Sequence, residues 1–191
     1  MTSPGYFDDL YARSPDPWHL SSSPYEARKY AETAAAVPEG AGLVHEPGCS
    51  VGVLTALLGR RCRRLVAWDL SPVAVASARA RVADQPHVDV RVGAVPGWWA
   101  DGRPDVVVLS ELLYYLSADD RRRTLDLAAQ RLAPGGHLLA VHWRHPFAEA
   151  PTDGDAVHDA LLAAERWLAV DEQVDPDYRL ALLRPATGTE R

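Results

Sequence analysis

The stretch Ala41-Gly42-Leu43-Val44-His45-Glu46-Pro47-Gly48-Cys49-Ser50-Val51-Gly52 starts as a short β-type run and then turns on glycine. Val51, Leu54 and Leu58 follow at i, i+3 and i+7, the repeat of one helix face. Strand, glycine turn and helix together open a βαβ unit, and the pattern repeats outward. Leu65-Val66-Ala67-Trp68-Asp69 reads as the second strand, and its helix begins with Ser71 at the N-cap and Pro72 at the first helical position, where the missing N–H costs nothing. Asp89-Val90-Arg91-Val92 is a third strand and Asp105-Val106-Val107-Val108-Leu109 a buried fourth. Ser117, three residues before Asp120, marks a capping box for a helix that carries Leu125, Ala128, Ala129 and Leu132 on one face and stops at Pro134-Gly135-Gly136. Leu138-Leu139-Ala140-Val141-His142-Trp143 is the fifth strand. Residues 156–167 then read as an amphipathic helix, followed by an antiparallel pair in which residues 178–183 form one strand. The expectation is an α/β chain with a mostly parallel sheet and an antiparallel C-terminal edge.

With 191 residues the chain is sized for one domain, divided by texture into an aromatic, proline-broken segment over 1–40, a core over 41–145 and a helix plus hairpin over 146–191. The composition, 47% hydrophobic and 24% charged, is that of a globular chain able to bury a core. A net charge of -6 gives no electrostatic ground for nucleic-acid or anionic-membrane binding. No apolar run approaches the ~20 residues of a membrane span and the start lacks a basic-then-apolar leader, so a cytoplasmic location is expected. Cys49 and Cys62 are too few for a disulfide scaffold or a four-cysteine zinc site, and His142 with His145 lacks further ligands, so no metal is expected. Of the 20 basic side chains, only Lys29 is lysine.

Chemistry enters at the first turn. Glu46 puts an acid at a strand end before Gly48 and Gly52, where backbone can approach a ligand and the helix N-terminus offers N–H groups. Ser50 and Val53 stand where a dinucleotide fingerprint has its second and third glycines, which argues against nicotinamide or flavin. Asp69 lies 69 − 48 = 21 residues past the first glycine, at the end of the second strand, where a carboxylate accepts ribose hydroxyls. Together these features fit a nucleoside ligand.

The chain thereby resembles the class I S-adenosylmethionine-dependent methyltransferases. Tyr11, Asp16-Pro17-Trp18, Tyr25-Glu26, Arg28-Lys29-Tyr30, the Gly48-Cys49-Ser50 turn, Leu109-Ser110-Glu111, Tyr114-Tyr115-Leu116 and His142-Trp143-Arg144-His145-Pro146 extend the likeness to the nodulation protein S-like N-methyltransferases. What the resemblance implies is a seven-stranded Rossmann-like sheet flanked by helices, S-adenosylmethionine as donor with S-adenosylhomocysteine as product, and, for founding members, the free amine of a deacetylated chito-oligosaccharide as acceptor.

On this reading the N–H groups from Gly48 to Gly52, with Cys49 and Ser50, line the amino-acid part of the donor, Arg28 pairs with its carboxylate and Asp69 takes the ribose. Ala94, Val95 and Pro96 follow the third strand where the family places adenine contacts, Leu70 covers one face of the base and Ser110 is counted with the donor-binding residues. Trp18 either lies against the sulfonium by cation–π contact or pins the N-terminal segment. Trp98-Trp99 either borders the adenine or packs in the core. Methyl transfer to an alkylammonium also needs a proton removed. Glu111 and His142, at the ends of the fourth and fifth strands, are the expected orienter and base, with Tyr114, Tyr115, Arg144 and His145 around the acceptor. Residues 1 to about 30 are expected to form a lid. A small-molecule N-methyltransferase, monomeric or homodimeric, leads; an O-methyltransferase of similar fold and a catalytically silent donor-binding or partner protein, suggested by Ser50, are the alternatives.

Overall fold

A computed structural model describes residues 4–186, so the first three residues of the expected lid lie outside it. Two helices precede the sheet: α1 (Pro4–Arg13) and α2 (Pro24–Ala36). Ser23 caps α2 by accepting the Glu26 N–H, and Pro24 stands at the start, where no N–H is needed. Strands and helices then alternate: β1 (Ala41–Pro47), α3 (Val53–Gly59), β2 (Cys62–Asp69), α4 (Pro72–Arg81), β3 (Val88–Val92), β4 (Val106–Ser110), a 3-10 turn at Leu113–Tyr115, α5 (Ala118–Arg131) and β5 (His137–Trp143). The chain closes with α6 (Gly154–Ala163), β6 (Trp167–Val174) and β7 (Tyr178–Pro185).

The seven strands lie in the order β3-β2-β1-β4-β5-β7-β6. β3, β2, β1, β4 and β5 pair in parallel; β7 runs antiparallel to both β5 and β6. Strand order reverses between β1 and β4, and in an open α/β sheet such a switch point opens a crevice at the carboxyl ends of the strands. β4 sits centrally and is buried along its whole length, in keeping with its unbroken Val-Val-Val-Leu run. β6 is the outer edge and is exposed beyond Trp167.

Two local expectations shift and one pair of alternatives is decided. Trp167 opens β6 instead of ending the preceding helix, because α6 stops at Ala163 and its cap, Ala164, is extended. Ser71 holds the N-cap position of α4, but its side chain makes no capping bond; its N–H instead donates to Asp69 Oδ1 at 2.9 Å. Trp98 and Trp99 pack edge-on against Trp68, with centroids 5.3 and 5.4 Å away, which is core packing. Ser117 does cap α5, accepting the Asp120 N–H at 3.1 Å.

Candidate functional site

The turn after β1 is shaped by its glycines and closed on itself. Gly48 has φ +79, and a Cβ there would come within 3.2 Å of Leu112 Cδ1. Gly52, at φ +80, leaves 2.8 Å between a notional Cβ and the Ala78 backbone, so α3 and α4 cross at a point where only glycine fits. The expected row of free N–H donors is not found. Gly48 and Cys49 both donate to Trp68 O, at 2.7 and 3.0 Å, Gly52 donates to Cys49 O at 3.0 Å, and Ser50 N donates to Asp69 Oδ2 at 2.9 Å. These bonds lash β1's exit to the end of β2, so the loop meets a ligand with shape more than with N–H groups. Ser50 itself, at φ +49, turns its hydroxyl to Tyr11 of α1, with 2.6 Å between the oxygens.

Over the carboxyl ends of the strands lies a cavity of about 570 Å³. Of the residues singled out for the donor, Glu46, Gly48, Cys49, Ser50, Asp69 and Leu70 line it from β1 and β2. Trp18, Ala94, Val95 and Ser110 line it from the remaining sides. Glu46 is 2% exposed, and its Oε2 is buried without a hydrogen-bond partner. Burial pushes its carboxyl up to about 8, the nearby Thr55 hydroxyl opposing and Asp69 adding to the rise. Ser110 Oγ is likewise buried and unpartnered. Such orphaned polar atoms facing a cavity suit a ligand that brings the missing partner.

The other end of the cavity is acidic and aromatic. Glu111 follows β4 in a left-handed conformation, φ +53, and is held from three directions. Its Oε1 takes Lys29 Nζ at 2.5 Å; its Oε2 takes the Tyr114 hydroxyl and, at 2.9 Å, the Trp143 N–H. Lys29, 1% exposed, also lies 3.0 Å from Glu26 Oε2 and 5.0 Å from the centroid of the Tyr25 ring. Burial disfavours its charge, but Glu111 and Glu26 outweigh that and raise its pKa. Tyr115, Phe147 and Trp143 complete the wall. Lys29, Glu26, Tyr25 and Trp143 carry this end of the site; all four stand in the motifs that carry the family resemblance, which gave them no individual role.

Several expected site residues point elsewhere. Arg28, one residue from Lys29, projects outward to Asp175 at 2.8 Å and does not line the cavity. Arg144 binds Asp155 and the Asp175 carbonyl, and His145 binds Asp177; both belong to the outer face that joins β5 to β7. His142 is 0% exposed and outside the cavity lining. Its Nε2 accepts the Leu113 N–H and its Nδ1 faces His158 Nε2, each at 3.2 Å. Burial lowers its pKa to about 3, which removes it as an accessible base near neutrality. Gly52 and Pro96 serve the backbone of the site without lining it.

A parallel sheet reversing between β1 and β4, a glycine turn after β1, a carboxylate ending β2 and an antiparallel β7 beside β5 define a class I methyltransferase architecture. The chain belongs to the nodulation protein S (NodS) family, whose model matches residues 8–146. It is 33% identical over 129 residues to nodulation protein S of Rhizobium tropici; the alignment takes in 65% of this chain and spans 53%, about half, of that relative. A crystal structure of a putative methyltransferase from Pseudomonas syringae is similar with TM-score 0.73 and 42% identity, covering 83% of this chain and 97% of its own. The N-methyltransferase NodS of Bradyrhizobium japonicum WM9, in complex with S-adenosyl-L-homocysteine, superposes with TM-score 0.84 over 97% of this chain and 99% of that one. At 24% identity that last likeness speaks for the fold.

Proposed function

We propose that this chain transfers the methyl group of S-adenosylmethionine to the amine of a small molecule, an amino sugar or a specialised metabolite. One observation carries the reading: a single cavity joins the Glu46–Asp69 end, built for a nucleoside with a cationic tail, to an acid-and-aromatic end suited to an ammonium. Asp69, in the cavity lining at the end of β2, would receive the ribose hydroxyls. Leu70, Ala94 and Val95 would flank the base, and the unpartnered Glu46 Oε2 would take the ammonium of the methionyl tail. Bound there, the donor supplies a methyl group on a sulfonium, open to in-line attack. The chain's part is to hold acceptor and methyl in line and to exclude water, which alone supplies much of such a rate enhancement. Tyr11 and Trp18 reach over the cavity from the N-terminal segment, in keeping with a lid. Ser50 fits the same reading, since its hydroxyl turns to Tyr11.

The net charge of -6 favours a small acceptor over nucleic acid. Among the described residues no helix is long and apolar enough to cross a membrane, and the reading places the protein in the cytoplasm as a monomer or homodimer. Calorimetric titration with S-adenosylmethionine and S-adenosylhomocysteine should show one-site binding of both, followed by methylated product in a mass-spectrometric screen of amino sugars and other amines. Absence of donor binding refutes the reading; products methylated on hydroxyl instead of amine reassign it to O-transfer.

A further inference from the structure

We propose that Glu26 is the base that takes the proton of the acceptor ammonium, and that Lys29 is the positioning residue that leaves Glu26 able to do so. This rests on the amine reading above. The two groups placed for the task by sequence position are both occupied. His142 is sealed beneath the wall, with Leu113 and His158 on its nitrogens. Glu111 has one oxygen on Lys29 and the other on Tyr114 and Trp143, which makes it a brace between α2, the 3-10 turn and β5.

Glu26 differs. It lines the cavity from the first turn of α2 with its side chain 13% exposed. Its Oε1 accepts from Lys29 Nζ at 3.1 Å, while Oε2, buried and 3.0 Å from the same nitrogen, accepts no hydrogen bond of good geometry. The groups facing it are Lys29 and Tyr30 from α2 and Glu111 from the end of β4, with Tyr25 packed on Lys29. Two carboxylates around one ammonium leave one uncompensated negative charge at the acidic end of the cavity, where a second ammonium is favoured. Burial raises the Glu26 carboxyl, so a proton placed on it is retained more readily than on an exposed glutamate.

The proton balance is simple. The acceptor R–NH3+ gives one proton to Glu26 Oε2 and becomes R–NH2. Its lone pair forms the N–CH3 bond as the S–CH3 bond breaks, the sulfonium becoming a thioether and the amine a methylammonium. Glu26 then returns its proton to solvent.

Lys29 explains why arginine would not serve. Every other basic side chain of the chain is arginine. A planar guanidinium between Glu26 and Glu111 would engage carboxylate oxygens in pairs and saturate Oε2, whereas the compact ammonium, though 3.0 Å from Glu26 Oε2, makes its hydrogen bonds to Oε1 of each carboxylate.

The lone lysine also supplies the test. Protein grown with [ε-13C]lysine gives one side-chain resonance, read with S-adenosylhomocysteine bound and methylamine added as the smallest probe. Methylamine should shift this resonance in the wild type and leave it unmoved in Glu26→Gln. With S-adenosylmethionine, dimethylamine formation should depend little on pH between 7 and 9 in the wild type. In Glu26→Gln it should fall about 100-fold at pH 7 and rise about tenfold per pH unit, since only amine already neutral in water then reacts. Glu26→Asp, which keeps a carboxylate, should retain the flat profile at a lower rate, and Lys29→Arg should behave like Glu26→Gln. Donor affinity should stay within about twofold throughout. An unshifted wild-type resonance, or a Glu26→Gln variant with the wild-type pH profile, overturns the assignment. Failure of the wild type to bind S-adenosylmethionine would instead strike at the methyltransferase reading.

Discussion

Replacing Glu46 by Gln tests the electrostatics of the donor end without needing the acceptor. Glu46 is 2% exposed, and burial lifts its carboxyl from an ordinary 4.5 to about 8. An acid whose folded pKa is raised holds its proton in the native state over a range where the unfolded chain has released it. Its contribution is therefore whole below pH 4.5 and is lost as pH climbs to 8. The slope in that window approaches about 1.4 kcal/mol per pH unit, so roughly 4–5 kcal/mol is the ceiling on the total. Glutamine copies the neutral acid in shape and does not titrate. Urea unfolding should thus find Glu46→Gln within about 1 kcal/mol of wild type at pH 5 and more stable by several kcal/mol at pH 8. S-adenosylhomocysteine, whose ammonium would offset the buried carboxylate, should narrow that gap in the wild type. Stability curves that run parallel from pH 5 to pH 8 would refute the argument, because they would mean that Glu46 ionises in the fold as easily as in water.

Asp69→Asn should weaken S-adenosylhomocysteine binding by about 1–3 kcal/mol in calorimetry, since Asp69 both faces the cavity and accepts the Ser50 and Ser71 N–H groups; unchanged affinity sinks the ribose role. The buried imidazoles of His142 and His158, each held down to about 3, contribute stability that is present above pH 6.5 and lost on acidification toward 3. His158→Asn should flatten that loss by up to about 1.4 kcal/mol per pH unit in urea titrations between pH 6.5 and 4.5, and equal slopes would count against it. Trypsin cleavage after Arg13, at the end of α1, should slow when S-adenosylhomocysteine is present; rates that do not change would argue against a lid.

The core was legible because its signals are local and mutually consistent. Val106-Val107-Val108-Leu109 is apolar without alternation, which marks a strand covered on both faces, and it is β4 at the centre of the sheet. Ser117 with Asp120 announces the start of α5, and the chain obeys. Trp167 was misplaced because an apolar residue following a helical period carries no mark of whether it ends that helix or opens a strand. The answer lies in the sheet, where Trp167 pairs with Pro185. Similarly, Ser71 holds the position and extended backbone of an N-cap, yet its hydroxyl makes no capping bond.

At the site, positions near strand ends were readable and side-chain directions were not, and two of the errors share one form. Trp143, the neighbour of His142, is the residue that lines the cavity, and Lys29 stands in the same relation to Arg28. Successive side chains on a strand point to opposite faces, and on a helix they turn by about 100°. A one-residue change of phase therefore carries a side chain from the site to another part of the fold. Composition does not set that phase; long-range bonds do. Glu111, turned back at φ +53, accepts the Trp143 N–H and the Lys29 ammonium together, which fixes β5 and α2 relative to the end of β4. Lys29 and Glu111 are 82 residues apart in the chain, and neither announces the other. Both residues stand in motifs shared with the family, Arg28-Lys29-Tyr30 and Leu109-Ser110-Glu111, but a motif gives the positions and not the ion pair that joins them.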